Sequence, residues 1–448
     1  MFDNLPGSDS VSFPRGVRTA SLVVVALLLG VLASDVAGIP GCRDGCKMPV
    51  ATAAAHVEKL AAPGPPIVGI SPFDQAEGLN PLTPVGAEVL DGTITSVSLV
   101  DDWGNAVDGR IAPDGKTWAP TERLDFGRTY SMTVSTKSDS GVPLTRSSSF
   151  STLYPNNYVH PYLEVPGGFA INPNTPYGVG AVIISRFDEP IADKALAEKN
   201  MVVTTDPPVQ GAWRWFSDQE AHWRPANYYA PGTKVNVAIN LFGLKLGDGL
   251  YGQADTQANF TIGDSHLAIA NDITKQISVF ENGALVRTMP TSMGKGGTTT
   301  YAGKTFSWWT PPGTYTVIDK AETVIMDSST YGLPNTSPFG YKRTIGYGTR
   351  ISTDGIYLHQ LDDTVWAQGN TNVSHGCLNL SGENARWFFN LVQPGDPVEV
   401  RFTGGPRHDP VYNGDWSLSW DEWIKGSALT PGAIPMPTPA SVTPAPGP

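Results

Sequence analysis

Cysteine is scarce in this chain, occurring among 448 residues only as Cys42, Cys46 and Cys377. A disulfide-stapled scaffold is excluded, because such folds depend on dense cysteine pairs. Charge is thin as well: Asp, Glu, Lys and Arg make up 16% of the residues, against roughly 25% in ordinary soluble domains. The balance is acidic, with a net charge of -12 and no basic block, so the electrostatic footprint required for phosphate backbones is missing. Nucleic acid is not an expected partner. Long apolar runs are also lacking. The longest, "ASLVVVALLLGVLA" from Ala20 to Ala33, falls short of the ~20 residues that span a bilayer as a permanent helix. With Arg15 and Arg18 ahead of it, it reads as a signal-peptide core, an N-terminal anchor being the alternative.

What the chain has in quantity is turn formers, 48 Gly and 39 Pro, which point to many short strands and a mainly β fold. A prior of roughly 100 to 200 residues per domain suggests about three domains. Residues 1–41 carry the export signal, and "IPGC", Ile39 to Cys42, is similar to a bacterial lipobox, which implies lipidation of Cys42 and attachment to a membrane. Pro40 departs from that pattern. A Cys42 to Cys46 disulfide is the competing reading, and both leave Cys377 as a free thiol outside the cytoplasm. Residues 42–62, low in large apolar side chains and running into "APGPP", form a linker.

Alternating runs begin near Ile67, as in "TITSVSLV" from Thr93 and "TYSMTVST" from Thr129, the period of half-buried strands. "TWAPTERLDFGRTYSMTVS" from Thr117 returns as "HWRPANYYAPGTKVNVAIN" from His222: Trp118, Pro120 and Gly127 fall on Trp223, Pro225 and Gly232. A unit of about 100 residues built of short strands around a tryptophan suits an immunoglobulin-like β-sandwich, so two in tandem are expected, at 63–154 and 155–263. Neither holds a His/Cys/Asp/Glu set with metal-ligand spacing. Trp213 and Trp215 are read as core, a carbohydrate-binding face being the alternative.

A third domain, 264–403, opens with alternating strands around the turn "ENG". One helix is evident, capped by Ser381 ahead of "NARWFFNLV". In a docking segment, 404–426, Trp416, Trp420 and Trp423 are spaced as one face of a short helix. The proline-rich tail, 427–448, should lie outside the fold.

Chemistry concentrates at "SHGCLN", Ser374 to Asn379. A free thiol has a pKa of about 8.5, so a nucleophilic Cys377 needs a nearby imidazole or donors that stabilise the anion. Two histidines compete for that role. His375 is two residues away across Gly376, and His359 ends the strand-like run "DGIYLH" and precedes a turn-rich loop that leads back to Ser374. If Gly376 permits a tight turn, the amides of His375, Gly376 and Cys377 can converge on one oxyanion.

The full string, His359, fourteen residues, then Ser374-His375-Gly376-Cys377-Leu378-Asn379, resembles the signature of the L,D-transpeptidases, whose catalytic domain is a YkuD-type β-sandwich. "VIMDSSTYG", "GYKRT" and "GDWSLSWDEW" are similar to mycobacterial members, which carry one or two immunoglobulin-like domains ahead of the catalytic one. The resemblance implies Cys377 as nucleophile and His359 as base, oriented by the backbone carbonyl of Gln360, a position where relatives often have serine. It implies oxyanion-turn roles for His375 and Gly376. Substrate-facing roles follow for Tyr341, Ser374, Asn379, Asp354 and Gly355, and for Met326 and Tyr331 of a flap. Asp354 departs from the small polar residue of the relatives. Two further departures are the longer link "TTTYAGKTFSWW" before Thr310 and the loop "QLDDTVW", which shifts the tryptophan to Trp366.

The implied activity is 3→3 cross-linking of peptidoglycan stem peptides at the cell envelope, by a monomer, without metal or organic cofactor. A donor tetrapeptide loses D-alanine to form a thioester, and the amine of an acceptor diaminopimelate resolves it. Acylation of the thiol by carbapenem β-lactams is implied too. The alternatives are a cysteine hydrolase that trims stems and a catalytically silent wall-binding protein.

Overall fold

The structure, a computed structural model, describes residues 64–429. The expected signal segment, the lipidation site Cys42, the whole of the linker and the tail beyond Leu429 lie outside the described residues. Strands dominate, as the Gly and Pro content predicts. Among the described residues no helix is long and apolar enough to cross a membrane.

The first sandwich faces a sheet of Ile67–Ser71, Gly86–Leu90, Thr117–Pro120 and Gly109–Ile111 against one of Ala76–Leu79, Pro143–Thr152, Thr129–Ser138 and Gly92–Asp101. Alternation along Thr129–Ser138 sends Tyr130, Met132 and Val134 inward to meet Trp118 and Phe150. The second sandwich sets a five-stranded sheet, with Ile183–Phe187 at its centre, against Met201–Asp206, Lys234–Asn240 and Asp255–Thr261.

The repeated tryptophan does the same work in both. Trp118 lies across Gly109 of the neighbouring strand and Trp223 across Gly211. A Cβ on either glycine would meet the indole at 2.1 or 2.0 Å. Trp213 is buried and its indole N–H donates to the Met201 carbonyl at 2.8 Å, while that of Trp215 donates to Glu198. Trp213 is therefore a core tryptophan, and Trp215, half-buried, packs against that core. Where the sandwiches meet, the Phe126 ring sits 5.4 Å from Tyr158, 5.4 Å from Phe242 and 6.0 Å from Tyr251.

The third domain packs two sheets. One runs Ala284–Pro290, Gln276–Glu281, His266–Asn271, Pro397–Arg401 and Gly313–Thr316, and the other Asp319–Asp327, Lys342–Arg350, Tyr357–Gln360 and Leu378–Leu380. Asn282 and Gly283 adopt the positive φ values, 48° and 84°, that a tight two-residue hairpin needs. The helix Gly382–Leu391 starts where the Ser381 side chain accepts from the Asn384 N–H, and it buries Ala385 and Phe388.

One expectation is corrected. Trp416, Trp420 and Trp423 do not share a helix: Trp416 lies in a 3-10 turn, Asp415–Ser417, the chain extends through Leu418 and Ser419, and a new helix covers Trp420–Trp423. Ser419 and Glu422 form a reciprocal capping box, a local preference that restarts the helix there. The segment also docks more widely than expected. Trp423 is fully buried, its indole N–H donating to Ala212 of the second sandwich at 2.9 Å. On the third domain, the Thr314 N–H donates to Ser417 Oγ at 2.8 Å and Asn413 bonds Thr316. It is a strap across both units.

Candidate active site

The parallel strands Tyr357–Gln360 and Leu378–Leu380 pair Leu358 with Leu378 and His359 with Asn379. Leu358, Leu378 and Leu380 fill the core, so alternation turns His359 and Asn379 to the other face, and Cys377 directly precedes the second strand. Cys377 is partly exposed. Its Sγ lies 3.7 Å from the Gly355 carbonyl, and the Tyr357 backbone N–H reaches the sulfur. Burial pushes the thiol up to about 11 against that amide, and the Asp354 carboxylate adds to the rise.

His359 is buried, with Nδ1 3.0 Å from the Gln360 carbonyl. A proton on Nδ1 satisfies that oxygen and leaves the Nε2 lone pair free. Burial lowers its pKa to about 4 in spite of the carbonyl. At neutral pH the pair is thus an uncharged imidazole and an uncharged thiol.

The turn before Cys377 departs from the sequence-based expectation at two residues. The Gly376 N–H donates to Ser374 Oγ at 3.1 Å, and Ser374 Oγ–H donates to the Cys377 carbonyl at 2.6 Å. The Gly376 amide is therefore engaged inside the turn and does not join an oxyanion site, and the Ser374 hydroxyl staples the turn instead of facing substrate. Gly376 itself has φ 143°, open to glycine and strained for other residues. Its carbonyl accepts from Thr310 Oγ1 at 2.7 Å, and that oxygen accepts from the Gly294 N–H at 2.9 Å. Thr310, fully buried, is a contributor that no sequence signal marks.

His375 forms a wall. Its ring meets Trp308 edge-on at 4.7 Å and Tyr341 at 5.0 Å. Burial, with Lys295 and Arg343 adding to it, lowers its pKa to about 4. Tyr341 hydrogen-bonds Tyr331, and their rings lie 6.4 Å apart. Met326 sits half-buried near the end of the flap strand Asp319–Asp327, just ahead of Ser328–Tyr331. Asp354 and Gly355 lie exposed beside the sulfur. Asn379, expected to face substrate, is only 1% exposed, and its side-chain nitrogen and oxygen have no protein partner.

The link before Thr310 forms a hairpin, Thr298–Tyr301 with Lys304–Ser307, turning at Ala302 and Gly303 with φ 49° and 80°. The Ala-Gly pair between alternating residues was its legible signal. Phe306 and Trp308 bury against Leu333 of the flap, with Tyr301 and Tyr331 packed on them. Among the described residues no three His, Cys, Asp or Glu side chains group as for a metal.

Residues 76–245 match the family model of a bacterial Ig domain, and residues 266–400 that of the L,D-transpeptidase catalytic domain. L,D-transpeptidase 2 of Mycobacterium tuberculosis is 39% identical over 92% of this chain and 96% of its own. L,D-transpeptidase 5 of the same species is 32% identical over 95% of this chain and 89% of its own. A solved L,D-transpeptidase in complex with imipenem aligns with 54% of this chain and 100% of its own, at 30% identity and a TM-score of 0.44. With identity of this extent to a curated member along nearly the whole of both chains, the protein belongs to the L,D-transpeptidases.

Proposed function

We propose that this L,D-transpeptidase makes 3→3 cross-links through a thioester on Cys377, with His359 as the proton carrier. The observation that supports this reading is the pairing of the strand that carries His359 with the strand that begins one residue after Cys377, together with the bond between His359 Nδ1 and the Gln360 carbonyl, which leaves Nε2 as the basic nitrogen. As sulfur attacks the carbonyl of the donor's third residue, the thiol proton passes to His359 Nε2 and the carbonyl oxygen becomes an oxyanion. Collapse breaks the peptide bond, and the departing D-alanine nitrogen takes the proton from His359. The acceptor's side-chain amine then attacks the thioester and gives its proton to His359. The expelled thiolate takes that proton back, which restores the starting state.

Tyr341, Tyr331 and His375 offer the donor an aromatic wall, and Asp354 and Gly355 border the sulfur on the opposite strand connection. The same thiol would open the strained ring of a carbapenem to an acyl thioester. Attachment to the envelope rests on Arg15, Arg18, the apolar run and Cys42, and monomeric action belongs to the same reading.

Incubation with a tetrapeptide muropeptide, with and without an acceptor amine, tests it by mass. A thioester adduct and a cross-linked dimer are expected from wild type and neither from Cys377→Ala. A dimer from Cys377→Ala sinks the assignment, while activity in His359→Ala coupled with its loss in His375→Ala reverses the two histidines. Product without dimer would make the enzyme a hydrolase.

A further inference from the structure

We propose that Thr310 is a positioning residue that aims the Cys377 backbone N–H at the carbonyl oxygen under attack. The inference rests on Cys377 being the nucleophile and concerns what holds its own amide. Ser374 consumes the Gly376 N–H and the Cys377 carbonyl, so the turn's remaining unpaired donors are the amides of His375 and Cys377, which have no protein acceptor among the described residues.

The Cys377 N–H belongs to the same peptide plane as the Gly376 carbonyl. In a trans peptide the two point in opposite directions, so whatever fixes the carbonyl fixes the N–H. Thr310 fixes it. Its hydroxyl accepts from the Gly294 N–H at 2.9 Å, which directs its single proton to the Gly376 oxygen at 2.7 Å. Thr310 is fully buried, so water does not compete for either bond. The plane would otherwise hang on Gly376, whose φ of 143° lies where glycine has wide freedom. Donation to the carbonyl also polarises the N–H on the far side of the plane. Thr310 touches no reacting atom and acts through the peptide alone.

The test compares Thr310→Val, which keeps the branched shape without the hydroxyl, with Thr310→Ser, which keeps the hydroxyl. Two reactions of Cys377 are followed in the full chain: acylation by imipenem, which builds an oxyanion, and alkylation by iodoacetamide, which does not. Thr310→Val should slow acylation at saturating imipenem about 10- to 100-fold, the scale of a misaimed oxyanion donor, with half-saturation and alkylation unchanged. Thr310→Ser should restore acylation. Acylation by Thr310→Val at the wild-type rate overturns the proposal. So does an equal loss of acylation and alkylation, since the hydroxyl would then merely hold the chain in place. A wild-type protein whose adduct forms elsewhere than on Cys377 removes the nucleophile assignment, and this inference with it.

Discussion

His222 Nδ1 and Asp415 Oδ1 lie 2.6 Å apart although 193 residues separate them. The other ring nitrogen of His222 faces Glu220 at 3.0 Å, and Glu220 in turn pairs with Arg186. This is the polar heart of the strap that ties the C-terminal segment to the second sandwich, beside the cluster of Trp423, Ala212 and Phe216.

The first prediction concerns pH. Burial works against a charge on His222, yet Asp415 and Glu220 raise its pKa to about 9 from the ordinary 6.5. A raised histidine pKa contributes stability that is full below 6.5 and disappears as pH climbs through 9, on the order of 3 kcal/mol here. Thermal unfolding should therefore show a falling Tm between pH 6.5 and 9. Asp415→Asn should lower Tm at pH 6.5 and flatten that slope, and an unchanged slope would show the pair to be uncoupled from stability.

Cys377 should alkylate slowly at neutral pH. With the thiol pushed up to about 11 and His359 held down to about 4, the thiolate fraction rises roughly tenfold per pH unit across the neutral range. Iodoacetamide labelling read by mass should follow that slope from pH 7 to 10. A rate flat over this range would reveal a standing thiolate and imidazolium pair.

The two glycines under the repeated tryptophans should be intolerant of a methyl group. Gly109→Ala and Gly211→Ala each force a Cβ into an indole, which should cost about 1 to 3 kcal/mol by overpacking. Calorimetry would register both as lower Tm values, while imipenem acylation by Gly109→Ala at 25 °C stays at the wild-type rate.

The hairpin should steady the flap. Lys304 Nζ donates to the Tyr331 carbonyl at 2.8 Å, and the Phe306 ring lies 6.0 Å from Tyr331. Lys304→Ala should speed hydrogen exchange at the Gly332 and Leu333 amides, bonded to Ser329 and Ser328, about tenfold, as befits one charged hydrogen bond at a partly exposed site. Exchange unchanged at both amides would separate hairpin from flap.

Local chemistry was the legible part of the sequence. The Asn282-Gly283 turn, the Ser381 cap and the tryptophan repeat each depend on residues close in the chain or on a period, and a single sequence displays both. The spacing of His359 to Cys377 drew attention to a residue in one of two parallel paired strands and a residue at the start of the other. Thr310 stayed hidden because its hydroxyl acts 66 residues away on Gly376, and a buried threonine has no sequence mark of such a task. Ser374 and Gly376 were misread for a related reason: a hydroxyl two residues upstream captured the amide, an outcome set by turn geometry. The strap was half legible, its tryptophans visible and its break at Ser419 concealed by an apparently continuous helical spacing.

The meeting of Phe126 with Tyr158, Phe242 and Tyr251 carries a consequence for anyone shortening this protein. A version starting after the first sandwich would expose three aromatic rings further to water, on a surface that the intact chain keeps partly covered. Such a fragment should self-associate as its concentration rises, and replacing Tyr158 and Tyr251 by threonine is the repair that would keep it in solution.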